Sequence, residues 1–280
     1  MKPMLRASTV TLILLSLVSF AHAGNRVKAT LVSSTPAALP GSTFDVAIHF
    51  TIPPGWHMYW INPGDTGAPP KVKWNLPDGV TATPVRFPAP RRIPVGNNLT
   101  AFGYEEECTL LSTISVDKNF DADRPIDLAA NLQWVVCADE CVMEKQDVSA
   151  RIKIGPVKPG ANDQFSIWRS QQPQRGRVSA DDVHISLGRP AGRGELSVTM
   201  PHDFESATEI EFFPPPLDFV VFDRAPNLHA IVGGMMVTQP FRIDPGQHPP
   251  ADTVAMLSYL DGKKQHQMIE VPFKVRFGQP

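Results

Sequence analysis

The stretch "IDLAANLQWVVCADECVMEKQDVSARIKI", Ile126 to Ile154, alternates apolar and polar residues twice, with a short acidic break in the middle. Ile126, Leu128, Ala130, Leu132, Trp134 and Val136 share one face of the first arm. Val142, Val148, Ala150, Ile152 and Ile154 share one face of the second, interrupted by Glu144 and Gln146. A period of two is the mark of a strand with one buried face. The stretch therefore predicts an antiparallel hairpin that turns at Ala138, Asp139 and Glu140. Cys137 and Cys141 then stand opposite each other on the more polar, outward face. Directly opposed residues of an antiparallel pair have Cα atoms about 4.5–5.5 Å apart, within the range a disulfide accepts.

The segments upstream follow the same rule. "VKATLVS" from Val27, "FDVAIHFTI" from Phe44, "KVKWNL" from Lys71 and "TLLSTISV" from Thr109 are short strand-like pieces, separated by turn-rich runs such as "NPGDTGAPP" and "PAPRRIPVGNN". Proline is frequent, at 29 of 280 residues, and long helical periodicity is missing. Together these predict an antiparallel β-sandwich. After Ile154, "GPVKPGANDQFSIWRSQQPQRGR" reads as a linker whose apolar cluster of Phe165, Ile167 and Trp168 forms a short helical or docking segment. "ELSVTM" from Glu195, "TEIEFF" from Thr208, "DTVAMLSYL" from Asp252 and "MIEVPFKVRF" from Met268 then predict a second, smaller β-sandwich-like domain.

The amino terminus bears on the redox environment. "MKPMLRASTVTLILLSLVSFAHA" joins a basic start (Lys2, Arg6) to an apolar run from Val10 to Phe20 and small residues at Ala21 and Ala23, the pattern of a secretory signal. Its removal would change the formal net charge from −2 to −4. Neither value suggests a nucleic-acid partner. An exported protein matures where disulfides persist. The expected layout is a signal peptide at 1–23, a first domain at 24–155, a linker at 156–181 and a second domain at 182–280.

Three readings of the cysteine pair remain open on these residues: a staple, a pair of metal ligands, or a redox pair. Closing a loop of about five residues removes only about 2 kcal/mol worth of unfolded-chain entropy, against nearly 5 for a loop of about 100, so the staple would be weak. Zinc would need a fuller ligand set, and copper(I) could use Cys137, Cys141 and Met143. The neighbouring acids Asp139, Glu140 and Glu144 would disfavour a thiolate. Cys108 shares its face with Leu110, Ile114 and Val116 and reads as a buried, inert thiol. His57 and Met58, in "PPGWHMYWINPG", read as a packed turn.

"LQWVVCADECVMEKQDVSARIKI", preceded by "GWHMYWINPGDTGAPPKVKWNLPDGV", "FPAPRRI" and "FGYEEECTLLSTISV", resembles the periplasmic N-terminal domain of DsbD-type thiol:disulfide interchange proteins, especially the ScsB-like branch. The resemblance covers most of residues 26–155, and the second half resembles the additional β-domain of the longer ScsB-like proteins. It implies an immunoglobulin-like sandwich in which Cys137 and Cys141 are the redox pair, carrying electrons from a membrane-embedded donor of the DsbD transmembrane type to thioredoxin-like periplasmic proteins. That donor would be a separate polypeptide, since no multi-span segment follows here. The resemblance also implies an aromatic shield over the cysteines, placed in "NNLTAFGYEEE" at Phe102 or Tyr104. No cofactor and no metal site is expected. The rival expectations are a non-enzymatic β-sandwich binding module with a structural disulfide and a copper-handling accessory protein.

Overall fold

The computed structural model describes residues 24–96, 98–156, 163–176, 178–187, 193–200, 204, 206–217, 220–222, 226–232, 234–243 and 251–275. The expected signal sequence lies outside them. The fold is built almost wholly of antiparallel sheets stacked as sandwiches.

In the first half the strands are β1 (Lys28–Ser33), β2 (Ala37–Ala38), β3 (Thr43–Thr51), β4 (His57–Gly64), β5 (Lys71–Asn75), β6 (Val80–Ala82), β7 (Arg91–Val95), β8 (Leu99–Tyr104), β9 (Glu107–Val116), β10 (Ile126–Cys137) and β11 (Cys141–Ile154). One sheet has the order β1-β3-β9-β6. The other runs β2-β11-β10-β4-β8-β7, with β5 also pairing β10. Ile48, Phe50 and Leu110 from the first sheet meet Met58, Trp60, Leu132 and Trp134 from the second in one buried core. Trp134 meets Phe50 edge-on at 5.3 Å between ring centres, an arrangement that suits the ring quadrupoles.

The β10–β11 hairpin has the expected register, from Ile126↔Ile152 to Cys137↔Cys141. Two segments expected as turns are strands. "HMYWINPG" forms β4, and "RRIPV" forms β7. β7 tolerates Pro94 because it is the outer strand of its sheet, pairing only with β8, so the missing N–H interrupts no interior ladder.

Glu144 and Gln146, the two interruptions of the apolar face of β11, join the sheets. The Glu144 carboxylate accepts from the Arg26 and Val27 backbone N–H groups at 2.7 and 3.1 Å and from Trp134 Nε1 at 3.1 Å. Gln146 accepts from the Ala29 N–H at 3.1 Å and donates to the Ala29 carbonyl at 2.7 Å. These side chains satisfy backbone groups where β1 runs past the edge of the other sheet, which burial requires.

Helix α1 (Asp163–Ser170) places Phe165 and Trp168 against Ala47 and Leu111 on the outer face of the β1-β3-β9-β6 sheet. Trp168 stacks on His49 and Arg169 pairs with Asp45 at 2.7 Å. Ile167, the third member of the expected docking cluster, is exposed.

The second half has β12 (Val183–Leu187), β13 (Arg193–Met200), β14 (Thr208–Phe213), β15 (Val220–Phe222), β16 (Asn227–Ile231), β17 (Gly234–Ile243), β18 (Ala251–Leu260) and β19 (His266–Val275). They form the sheets β12-β13-β17-β15, with β16 also on β17, and β14-β18-β19. Val198, Val237, Phe241, Phe212, Leu257 and Ile269 fill the space between them.

Phe213 leaves that core and enters the first one, edge-on to Phe102 at 5.4 Å and to Trp60 at 6.1 Å. The Arg92 guanidinium lies over both Phe102 and Phe213, and its Nη2 donates to the Phe212 carbonyl at 2.6 Å. Asn62 donates to the Pro214 carbonyl at 2.9 Å. Phe213→Ala should cost about 3 kcal/mol and split chemical denaturation of the chain into two transitions where the parent shows one, as read by fluorescence and circular dichroism.

Candidate redox site at the β10–β11 hairpin

Cys137 and Cys141 are joined in a disulfide with Cα atoms 4.1 Å apart. It closes the tight turn at residues 138–140, where the Ala138 N–H donates to the Glu140 carbonyl. The two sulfurs sit in different surroundings. Cys137 is only 2% exposed, whereas Cys141 is exposed. The outward face predicted for both is correct, but over Cys137 that face is covered.

The cover comes from neighbouring strands. Cys137 pairs with His57 of β4, Tyr59 pairs with Gly103 of β8, and Ala101 pairs with Ile93 of β7. Partners in register share a face, so His57, Tyr59, Ala101 and Ile93 lie on the cysteine side of the sheet. Tyr59, Ile93 and Ala101 pack with Cys137 in one buried cluster, flanked by Val95 and Val135. Sequence reasoning missed these residues as a cover.

Phe102 and Tyr104, expected as the shield, have the opposite parity. Tyr104 pairs with Met58, which also pairs with Val136, and both rings are buried in the core between the sheets. The Tyr104 hydroxyl donates to the Pro88 carbonyl, and Phe102 meets Phe213. The structure brings neither ring to the disulfide; β8 contributes Ala101 to that side instead.

A second layer lies over Tyr59. Gly67 has φ +83°, a conformation that favours glycine, and a Cβ there would overlap the Tyr59 ring. The Tyr59 hydroxyl is 3.2 Å from His57 Nε2. Burial pushes the Tyr59 hydroxyl up from the usual phenol range, partly offset by a hydrogen bond with the Thr66 side chain. Burial likewise holds His57 below the ordinary histidine range, with Glu105 acting in the opposite sense.

The acids divide differently from the expected cluster. Glu144 is on the far face, 5% exposed, and turned toward Trp134. Glu140 pairs with Arg26 at 2.9 Å, and Arg26 also stacks over Trp56. Met143, 68% exposed, follows Cys141 on the same strand face. Cys108 is buried in the core as expected, and burial together with Glu107 raises its thiol well above the usual range. Cys108→Ser should leave disulfide chemistry at Cys137 and Cys141 unchanged in a thiol-exchange assay, while costing about 1–3 kcal/mol through a hydroxyl buried in an apolar site.

Residues 28–152 match the family model for the N-terminal region of the thiol:disulfide interchange protein DsbD. That stretch belongs to the DsbD N-terminal family. The DsbD-type domain of this chain thus carries its disulfide on the hairpin between β10 and β11. Among solved structures, the N-terminal periplasmic domain of ScsB from Proteus mirabilis is 16% identical and superposes with a TM-score of 0.59, covering 88% of this chain and 91% of that one. The likeness therefore spans both sandwiches and supports the fold as a whole. The reduced DsbD N-terminal domain of Neisseria meningitidis is 17% identical over 46% of this chain and 88% of its own, with a TM-score of 0.27. A search of curated proteins finds no match. Among the described residues no helix is long and apolar enough to cross a membrane.

Proposed function

We propose that the chain is a periplasmic thiol-disulfide exchange protein in which Cys137 and Cys141 carry the electrons. The observation that carries this reading is the asymmetric disulfide of a DsbD-type domain, with Cys141 exposed to solvent and Cys137 enclosed. A partner thiolate reaches Cys141, forms a mixed disulfide with it, and expels Cys137 as the leaving thiolate. In the reverse direction the Cys137 thiolate attacks the Cys141 sulfur, reforms the internal bond and releases the partner as a thiolate. Two electrons move in each cycle.

The small loop supports the same reading, because a bond that closes five residues contributes only about 2 kcal/mol through chain entropy. Tyr59, Ile93 and Val95 take the part of the shield, leaving Cys141 as the point of entry. The partners on this reading are thioredoxin-like periplasmic proteins and a membrane electron donor of the DsbD transmembrane type. Residues 24–155 form the redox domain, 156–181 the linker and 182–280 a second domain that braces it through Phe213.

The test is to mix the reduced protein with a thioredoxin-like protein whose resolving cysteine is replaced by serine and whose attacking cysteine is activated as a mixed disulfide, quenching with acid at early times so that the adduct is caught before Cys137 resolves it. A protein–protein adduct mapped to Cys141 is expected. An adduct mapped to Cys137, or none at all, would contradict the reading.

A further inference from the structure

Resolution of the mixed disulfide poses a chemical demand that the exposed turn does not meet. Cys137 must lose its proton before it attacks, yet it sits among Tyr59, Ile93 and Ala101. An apolar enclosure disfavours a thiolate. Asp139 and Glu140 are on the exposed turn, Glu140 is paired with Arg26, and Glu144 is on the opposite face of the sheet.

His57 stands where a base is needed. It is directly across from Cys137 on β4, on the same face, and is 6% exposed. Its Nε2 is tied to the Tyr59 hydroxyl, a bond that fixes the ring. The other groups that face it are few. Tyr59 is on its own strand, Glu105 follows the end of β8, and Arg91 lies further along the same face and is exposed.

We propose that His57 is the base that takes the proton from Cys137 when this thiol resolves a mixed disulfide on Cys141. This rests on the exchange reading above. The Cys137 S–H proton passes to the imidazole, the sulfur pair attacks the Cys141 sulfur, the Cys137–Cys141 bond forms, and the partner sulfur leaves as a thiolate. In the opposite direction the imidazolium returns the proton to the departing Cys137. Burial keeps the imidazole neutral near pH 7 and so ready to accept, while the Tyr59 hydroxyl, raised by its own burial, stays protonated. The enclosed sulfur and the enclosed imidazole thus form a unit shut off from stray reagents.

The test uses glutathione disulfide as the probe and the reduced full chain, with acid-quenched mass spectrometry and peptide mapping. In the parent the Cys141–glutathione adduct should be short-lived, with closure already levelled off below the ordinary histidine range, because burial lowers the His57 titration. In His57→Gln the adduct should persist, closing about 10²-fold more slowly, and closure should keep climbing with pH toward the ordinary thiol range near 8.5. Closure of His57→Gln within threefold of the parent at every pH, or slowing by one constant factor across the whole range, would overturn the assignment. A measurement on the parent guards against misfolding of the variant: the His57 ring resonance should titrate at a different pH in the reduced and oxidised chain, and identical titrations would overturn the proposal. If the parent forms no adduct at all, the exchange reading falls and this one with it. If the parent exchanges and His57→Gln matches it, only this inference falls.

Discussion

Cys141→Ser is expected to reduce thiol-disulfide exchange to the uncatalysed background, whereas Cys137→Ser should stop turnover after one half-reaction and leave a persistent mixed disulfide. The difference follows from exposure. Cys141 is open to solvent, so its loss removes the sulfur a partner can reach. The remaining Cys137 thiol is enclosed by Tyr59, Ile93 and Ala101, and a thiol in that setting is a poor nucleophile. With Cys137 removed, Cys141 still forms the adduct, but nothing adjacent resolves it. Both variants should keep the fold, since the short loop contributes about 2 kcal/mol. Gel-shift trapping of free thiols against a thioredoxin-like protein separates the two outcomes. Equal behaviour of the two variants would mean that the sulfurs are interchangeable and that the cover over Cys137 has no chemical consequence.

Glu144→Ala should have the largest effect on stability, a loss of about 3–5 kcal/mol and a fall in Tm on the order of 10 °C. The carboxylate is buried and accepts three N–H groups, two from the backbone at Arg26 and Val27 and one from Trp134. Truncation strands the Val27 and Trp134 donors, both at buried residues, along with the half-buried Arg26 N–H, and the desolvation of the buried pair is then uncompensated. Glu144→Gln keeps one acceptor oxygen and the shape of the site, so its loss should be smaller. Calorimetry on the parent and both variants checks the order. A change below about 1 kcal/mol for Glu144→Ala would show that the join between the sheets rests on packing alone.

The contrast between what was legible in the sequence and what was not follows a physical line. The β10–β11 hairpin was legible because alternation fixes both face and register once a turn is placed, and a one-residue slip would bury Asp127 and Asn131 instead of Leu128 and Leu132. The same alternation marked Glu144 and Gln146 as anomalies without explaining them, because the backbone groups they satisfy, at Arg26, Val27 and Ala29, lie in and just before β1, more than a hundred positions away in the chain. Phe102 and Tyr104 had the right neighbourhood in sequence and the wrong parity in space. Their face is decided by pairing of β8 with β4, a long-range contact that local pattern does not encode. The cover over Cys137 was hidden for a related reason. Ile93 sits in a proline-bearing segment that reads as a turn, and only its place on the outer strand of the sheet lets it pair and reach the cysteine. His57 carried a faint sequence trace, since a histidine alternating with Tyr59 in an otherwise apolar strand lies on one face with it.

On the exchange reading, the enclosed Cys137 and the exposed Cys141 form a working redox couple. The most direct measurement is equilibration of the protein, cleaved of its expected signal sequence, in buffers of graded thiol/disulfide ratio, with free thiols alkylated at each point and located by peptide mass spectrometry. Cys137 and Cys141 should titrate together as a two-electron couple at a potential above about −300 mV, with Cys108 reduced throughout. If the bond stays closed well below that potential, it is a structural staple and the exchange account is contradicted.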